Sequence, residues 1–188
     1  MDKTTLFQLQ FADLRDFLGS INGEVEQYNA LAKAAGDTPF QRRLCVRTTF
    51  SCIEAHLSHL KASALALTTD QDGLFSEDEK LALQDQEKRV SKSGQITLIP
   101  ARLTMKENIK LAFSAFSRVA ETRHVVDLGN QGAVHFFEAV KVRDRVVHPK
   151  SARDWKVSDA EMELVRLAWI WFGRHLVAVS KRPLAAKN

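Results

Sequence analysis

Between Phe40 and Thr69, apolar residues fall at Val46, Phe50, Ile53, Leu57, Leu60, Ala64 and Leu67, in alternating steps of four and three. That spacing is the period of one helix face and cannot line a strand, whose faces alternate every second residue. It predicts a long amphipathic helix over 40–69. The same period recurs at Phe7, Phe11, Leu14, Leu18, Ile21, Val25 and Tyr28, which predicts a helix over 5–35, weakened by Gly19 and Gly23 and ended by Gly36 to Pro39. Ser76 followed by Glu77, Asp78 and Glu79 is an N-terminal capping signal, predicting a short polar helix to about Arg89. Val90 to Arg102 reads as a loop in which Ile96–Ile99 is the one place for a brief extended segment.

Two further helices are expected over 105–123, with Ile109, Ala112, Phe113, Phe116 and Val119 inward, and over 131–147, with Val134, Phe137, Val140 and Val147 as the apolar stripe. Pro149 disfavours helical geometry at His148 and should stop the second of them. Ser158 then caps a final helix that is apolar on nearly all sides from Leu164 to Val179. The fold class expected is all-α, an antiparallel bundle of five to six helices in one domain spanning 1–188. Asp70 to Gly73 closes the long helix, and residues 181–188 form a basic tail.

The charge distribution is uneven. Residues 1–140 hold 16 Lys and Arg against 18 Asp and Glu, whereas residues 141–188 hold 11 against 5. A basic segment suits a phosphate-rich partner, although a solvated helix face explains the same imbalance. The apolar run Leu167–Phe172 is too short to span a bilayer and is flanked by Arg166 and Arg174. No apolar signal segment follows Met1–Lys3, so a cytoplasmic protein without membrane contact is expected. Cys45 and Cys52 lie about 10 Å apart along one helix, too far for a disulfide, and are expected reduced and partly buried.

The basic segment opens on Arg143-Asp144-Arg145-Val146-Val147-His148-Pro149. Arginine offers a permanent cation with a planar fork suited to phosphate. Histidine is best poised to move protons near neutral pH. On a regular helix Arg143 and His148 lie about 7.5 Å apart along the axis and about 140° apart around it, a gap a long arginine stem can span. Basic residues at a helix C-terminus also cap its last carbonyls, and spacing alone leaves that alternative open.

This stretch, the polar loop after it and Val157-Ser158-Asp159-Ala160-Glu161 opening an apolar helix resemble the HEPN superfamily. Its hallmark is Arg, a polar residue, often Asn and here Asp144, and a His four to six positions after the Arg. The resemblance covers about 40–180, and its specific part is 143–149. It implies a metal-independent RNA endonuclease, often a homodimer with two motifs facing each other, used in defence or as a toxin and held by a neutralising protein partner. Carried over, His148 would be the general acid or base, Arg143 would hold the scissile phosphate and Asp144 would orient them. Arg145, Lys150, Arg153 and Trp155 would contact RNA. Members modified on a tyrosine two residues after the histidine differ here, where Lys150 stands. The alternative is a non-catalytic bundle that binds RNA, nucleotide or protein.

No metal or cofactor is expected. Glu121-Thr122-Arg123-His124 matches one di-iron element but has no second copy. His56 and His59, one turn apart with Glu54 nearby, have zinc-like spacing but read more simply as a half-exposed helix face. Trp169 and Trp171 read as packing residues, and His135 and His175 as core-edge residues.

Overall fold

Thr38 and Gln41 exchange hydrogen bonds, Thr38 N–H to Gln41 Oε1 (2.9 Å) and Gln41 N–H to Thr38 Oγ1 (3.3 Å), and so start a helix, α1 (Pro39–Leu67). Pro39 fills the first helical position, where a missing N–H costs nothing. The computed structural model describes residues 37–68 and 73–180, together with ten helical positions scattered between Thr5 and Ala30. The apolar stripe expected over 7–28, the turn at 70–72 and the basic tail lie outside the described residues.

The chain is mostly helical: among the described residues there are five α-helices, one 3-10 turn and a two-stranded ribbon. It divides into two compact units, one built from 1–12, 57–126 and 179–188, the other from 13–56 and 127–178. Every residue of the expected α1 stripe is buried.

In the first unit, Ser76 and Glu79 form a reciprocal capping box that opens α2 (Glu77–Leu83). This helix stops well short of Arg89. Asp85 takes a left-handed backbone (φ 58°), and the chain reverses into β1 (Gln86–Val90), antiparallel to β2 (Ile96–Pro100), with Val90 opposite Ile96 and Gln86 opposite Pro100. The extended segment at 96–99 is therefore present, but it needs a partner, and pairing takes residues 86–89 out of the expected helix. Lys61 is 1% exposed, and its ammonium is paired with Asp85 at the base of the ribbon. A second capping box, Thr104 with Glu107, opens α3 (Met105–Ala120), which buries the five expected residues. It ends three residues early because Glu121 and Arg123 are both left-handed.

In the second unit, the Asn130 side chain accepts the Ala133 N–H and opens α4 (Gln131–Val147). The buried stripe of α4 is Ala133, Phe136, Ala139, Val142 and Val146, one position off the expected set, and Val134 and Val147 are exposed. Gly132 permits a close approach of the Trp171 ring, since a methyl there would overlap its Cδ1. A 3-10 turn (Ala152–Trp155) leads to Ser158, which caps α5 (Asp159–Ser180) through a box with Glu161. The core is aromatic: Phe136 lies 6.0 Å from Phe50, 4.9 Å from Trp171 and 6.4 Å from Phe172 between ring centroids. Trp169 and Trp171 pack inward as expected, while Val177 on the outer side of α5 is exposed.

His56 departs from the half-exposed face expected for it. It is fully buried, with ring contacts to Trp169 and Phe172. Its Nδ1 lies 2.6 Å from the Cys52 carbonyl, an oxygen that can only accept, so Nδ1 carries the proton. Cys45 is half-buried and Cys52 buried, and no disulfide joins them. Among the described residues no helix is long and apolar enough to cross a membrane.

Candidate functional site

The last turn of α4 carries the Arg-to-His stretch. His148 ends the helix in a non-helical conformation (φ −121°, ψ 60°), and its backbone N–H donates to the Asp144 carbonyl at 2.9 Å. The geometry follows from Pro149, whose ring disfavours the helical conformation in the residue before it. The His148 side chain is exposed.

Arg143, one turn upstream, has a quarter of its side chain exposed. Its Nη1 donates to Asp144 Oδ1 at 2.9 Å, and its Nη2 is paired with Glu54 of α1. The guanidinium thus sits between two carboxylates, one adjacent in sequence and one 89 residues away. Nothing local in the sequence points to Glu54.

Arg145 turns away from Arg143 and binds the following loop. It donates to the carbonyls of Asp154 (2.8 Å) and Lys156 (2.7 Å) and to Glu161 Oε1 (2.5 Å). Its fork is committed to protein, and so it fixes where the loop cations stand. Asp154 also closes the loop on itself, accepting the Lys150 N–H at 2.8 Å. That amide, the largest influence, holds the Asp154 carboxyl below the usual carboxylate range.

Lys150, Arg153 and Lys156 are exposed, and among the described residues no carboxylate pairs with their side chains. Trp155 is 44% exposed and lies beneath Arg43, whose Cζ is 4.7 Å from the ring centroid. Arg47, one turn along α1, donates to the Val146 carbonyl at 3.1 Å. The structure therefore brings two α1 arginines, Arg43 and Arg47, to the loop and the end of α4. Their identical spacing to ordinary surface residues hid them in the sequence.

Beside this strip lies an open cleft of about 780 Å³ lined by Arg42, Arg145, Arg153, Lys156, Ser158 and Glu161, among others. Arg42 is bound on all sides there, by Asp37, by Asp159 and by the Val157 carbonyl at 3.0 Å, and the Asp37 hydrogen bond first and then that of Asp159 push its pKa further up.

Among the described residues no group of three His, Cys, Asp or Glu is placed to hold a metal. Glu121 and His124 follow the end of α3 rather than lying on one helical face. No protein-family model, curated protein or solved structure matches the chain.

Proposed function

We propose that the protein is a metal-independent endoribonuclease of HEPN type that works as a homodimer, in a toxin or defence role. The observation that supports it is the joint placement of Arg143 and His148 at one helix end, with the histidine exposed and a band of cations and one open indole beside it. In this reading the strand's 2′-oxygen attacks phosphorus, the bond from phosphorus to the 5′-oxygen breaks, and a cyclic phosphate and a 5′-hydroxyl result. His148 takes the 2′-proton or supplies one to the 5′-oxygen, its counterpart on the second copy doing the other. Arg143 steadies the charge on the phosphoryl oxygens, and Asp144 orients Arg143. No water is consumed in this step. A protein partner that covers the strip would neutralise it.

The Glu54–Arg143–Asp144 cluster favours a second reading, a bundle that binds RNA without cleaving it, because two carboxylates oppose a phosphate at Arg143. One experiment separates the two. Purified protein is incubated with single-stranded RNA and a chelator, and the products are resolved on a gel. Cleavage that disappears in Arg143→Ala and His148→Ala supports the nuclease. Binding without cleavage supports the module, and activity unchanged in both variants sinks the role given to these residues.

A further inference from the structure

Trp155 ends the 3-10 turn with an indole that is 44% exposed, whereas Trp171 is buried and Trp169 half-buried. One face of the ring is covered by the Arg43 guanidinium at 4.7 Å, and Arg43 Nη1 also reaches the Trp155 carbonyl at 3.4 Å. The pair is held from below as well, since Arg145 binds the carbonyl of Asp154, the preceding residue. A planar ring backed by a cation and fixed by its own backbone is a preorganised platform, and stacking on such a surface needs little further ordering.

The surroundings select the ligand. Lys150, Arg153 and Lys156, in and beside the same loop, pair with no carboxylate among the described residues and suit an anionic backbone. An acidic peptide would use those cations but leave the indole unused. A nucleic-acid strand uses both, placing phosphates on the cations and a base on the ring. A base locked in a duplex presents its edges rather than its face, so the base must be unpaired.

The α1 register gives the distance. Arg43 to Arg47, which marks the end of α4, is one turn, about 6 Å; Arg43 to Glu54, which marks Arg143, is about 16 Å along the axis. We propose that Trp155, backed by Arg43, is a stacking subsite for an unpaired nucleobase of single-stranded RNA, a few nucleotides from the phosphate held at Arg143. The inference deepens the RNA reading above and rests on it for the choice of strand.

The test uses 2′-O-methyl oligoadenylate, which lacks the attacking hydroxyl, alone and annealed to its 2′-O-methyl complement, with binding read by fluorescence anisotropy. The full-length protein binds the single strand better than the duplex. Trp155→Ala weakens single-strand binding about 5- to 150-fold and leaves duplex binding unchanged, while Trp155→Phe keeps most of the affinity. Circular dichroism melting confirms that each variant folds. Equal single-strand affinity for wild type and Trp155→Ala, a preference for duplex, or no binding to either overturns the subsite. Cleavage of unmodified RNA is scored separately: discrimination through Trp155 without cleavage removes the nuclease and leaves the subsite, whereas cleavage with no Trp155 effect does the reverse.

Discussion

Glu54 of α1 pairs with Nη2 of Arg143, the arginine that the resemblance assigns to phosphate. A carboxylate and a phosphate compete for the same donors. Both side chains are partly solvated, at 25% for Arg143 and 40% for Glu54, so the pair contributes little to stability, about 0–1 kcal/mol. Glu54→Gln keeps the shape and removes the competing charge. It should bind single-stranded RNA about three- to tenfold more tightly at low salt, measured by anisotropy, with a melting temperature close to wild type. Weaker or unchanged binding would show that Arg143 does not face the strand.

Arg145 predicts a different phenotype from its neighbour. Arg145→Ala removes its bonds to Asp154, Lys156 and Glu161 and should cost about 1–3 kcal/mol. Arg145→Lys cannot fork and should recover less than half of the loss. Urea denaturation measures the cost, and limited proteolysis within 150–156 reports the loosened loop. The Asp154 tie has an acid limit. Because the folded carboxyl is held low, its contribution is complete above the ordinary carboxylate range and fades as pH falls through the lowered value.

His124 provides a pH signature in the other unit. Burial lowers its pKa below the usual histidine value, with the Phe113 ring centroid 6.2 Å away. The folded state therefore holds fewer protons on this ring than the unfolded chain. Its contribution is present above about pH 6.5 and is lost as pH falls through the depressed value. The melting temperature should drop on acidification across this range. His124→Gln should flatten that part of the profile, and an unchanged slope would contradict the assignment.

Two glycine-to-alanine changes should move stability in opposite directions. At Gly132 the new methyl meets the Trp171 ring, and overpacking should cost about 1–3 kcal/mol. At Gly173, within α5, a Cβ meets nothing within 4 Å, and the gain in helix propensity should add about 0.5–1 kcal/mol. Thermal melts of the two variants suffice to compare them.

How far the sequence could be read differed by element. The α1 stripe was legible because apolar residues from Val46 to Leu67, all but Ala64 bulky, mark the buried face without a gap. In α4 the buried face is mostly alanine and valine, and the tandem Phe136-Phe137 offers two registers; only packing against Phe50 and Trp171 selects Phe136. β1 was hidden because Gln86-Glu87-Lys88-Arg89-Val90 lies mostly in solvent and so shows no alternation. The position of the Arg-to-His stretch at a helix end was legible from Pro149. Its electrostatic setting was not, since Glu54, Arg43 and Arg47 reach it through tertiary contacts that leave no local signal.

The two motif arginines differ in how much chain each must close. Arg145 reaches partners 9 to 16 residues away, whereas Arg143 reaches one 89 residues away. Loop closure grows with the logarithm of length, so from the unfolded chain the longer tie costs roughly 1.5 kcal/mol more entropy to form than the 16-residue one. The Arg145 ties can therefore form from a short local stretch of chain, whereas the Glu54–Arg143 pair must wait for two distant stretches to meet.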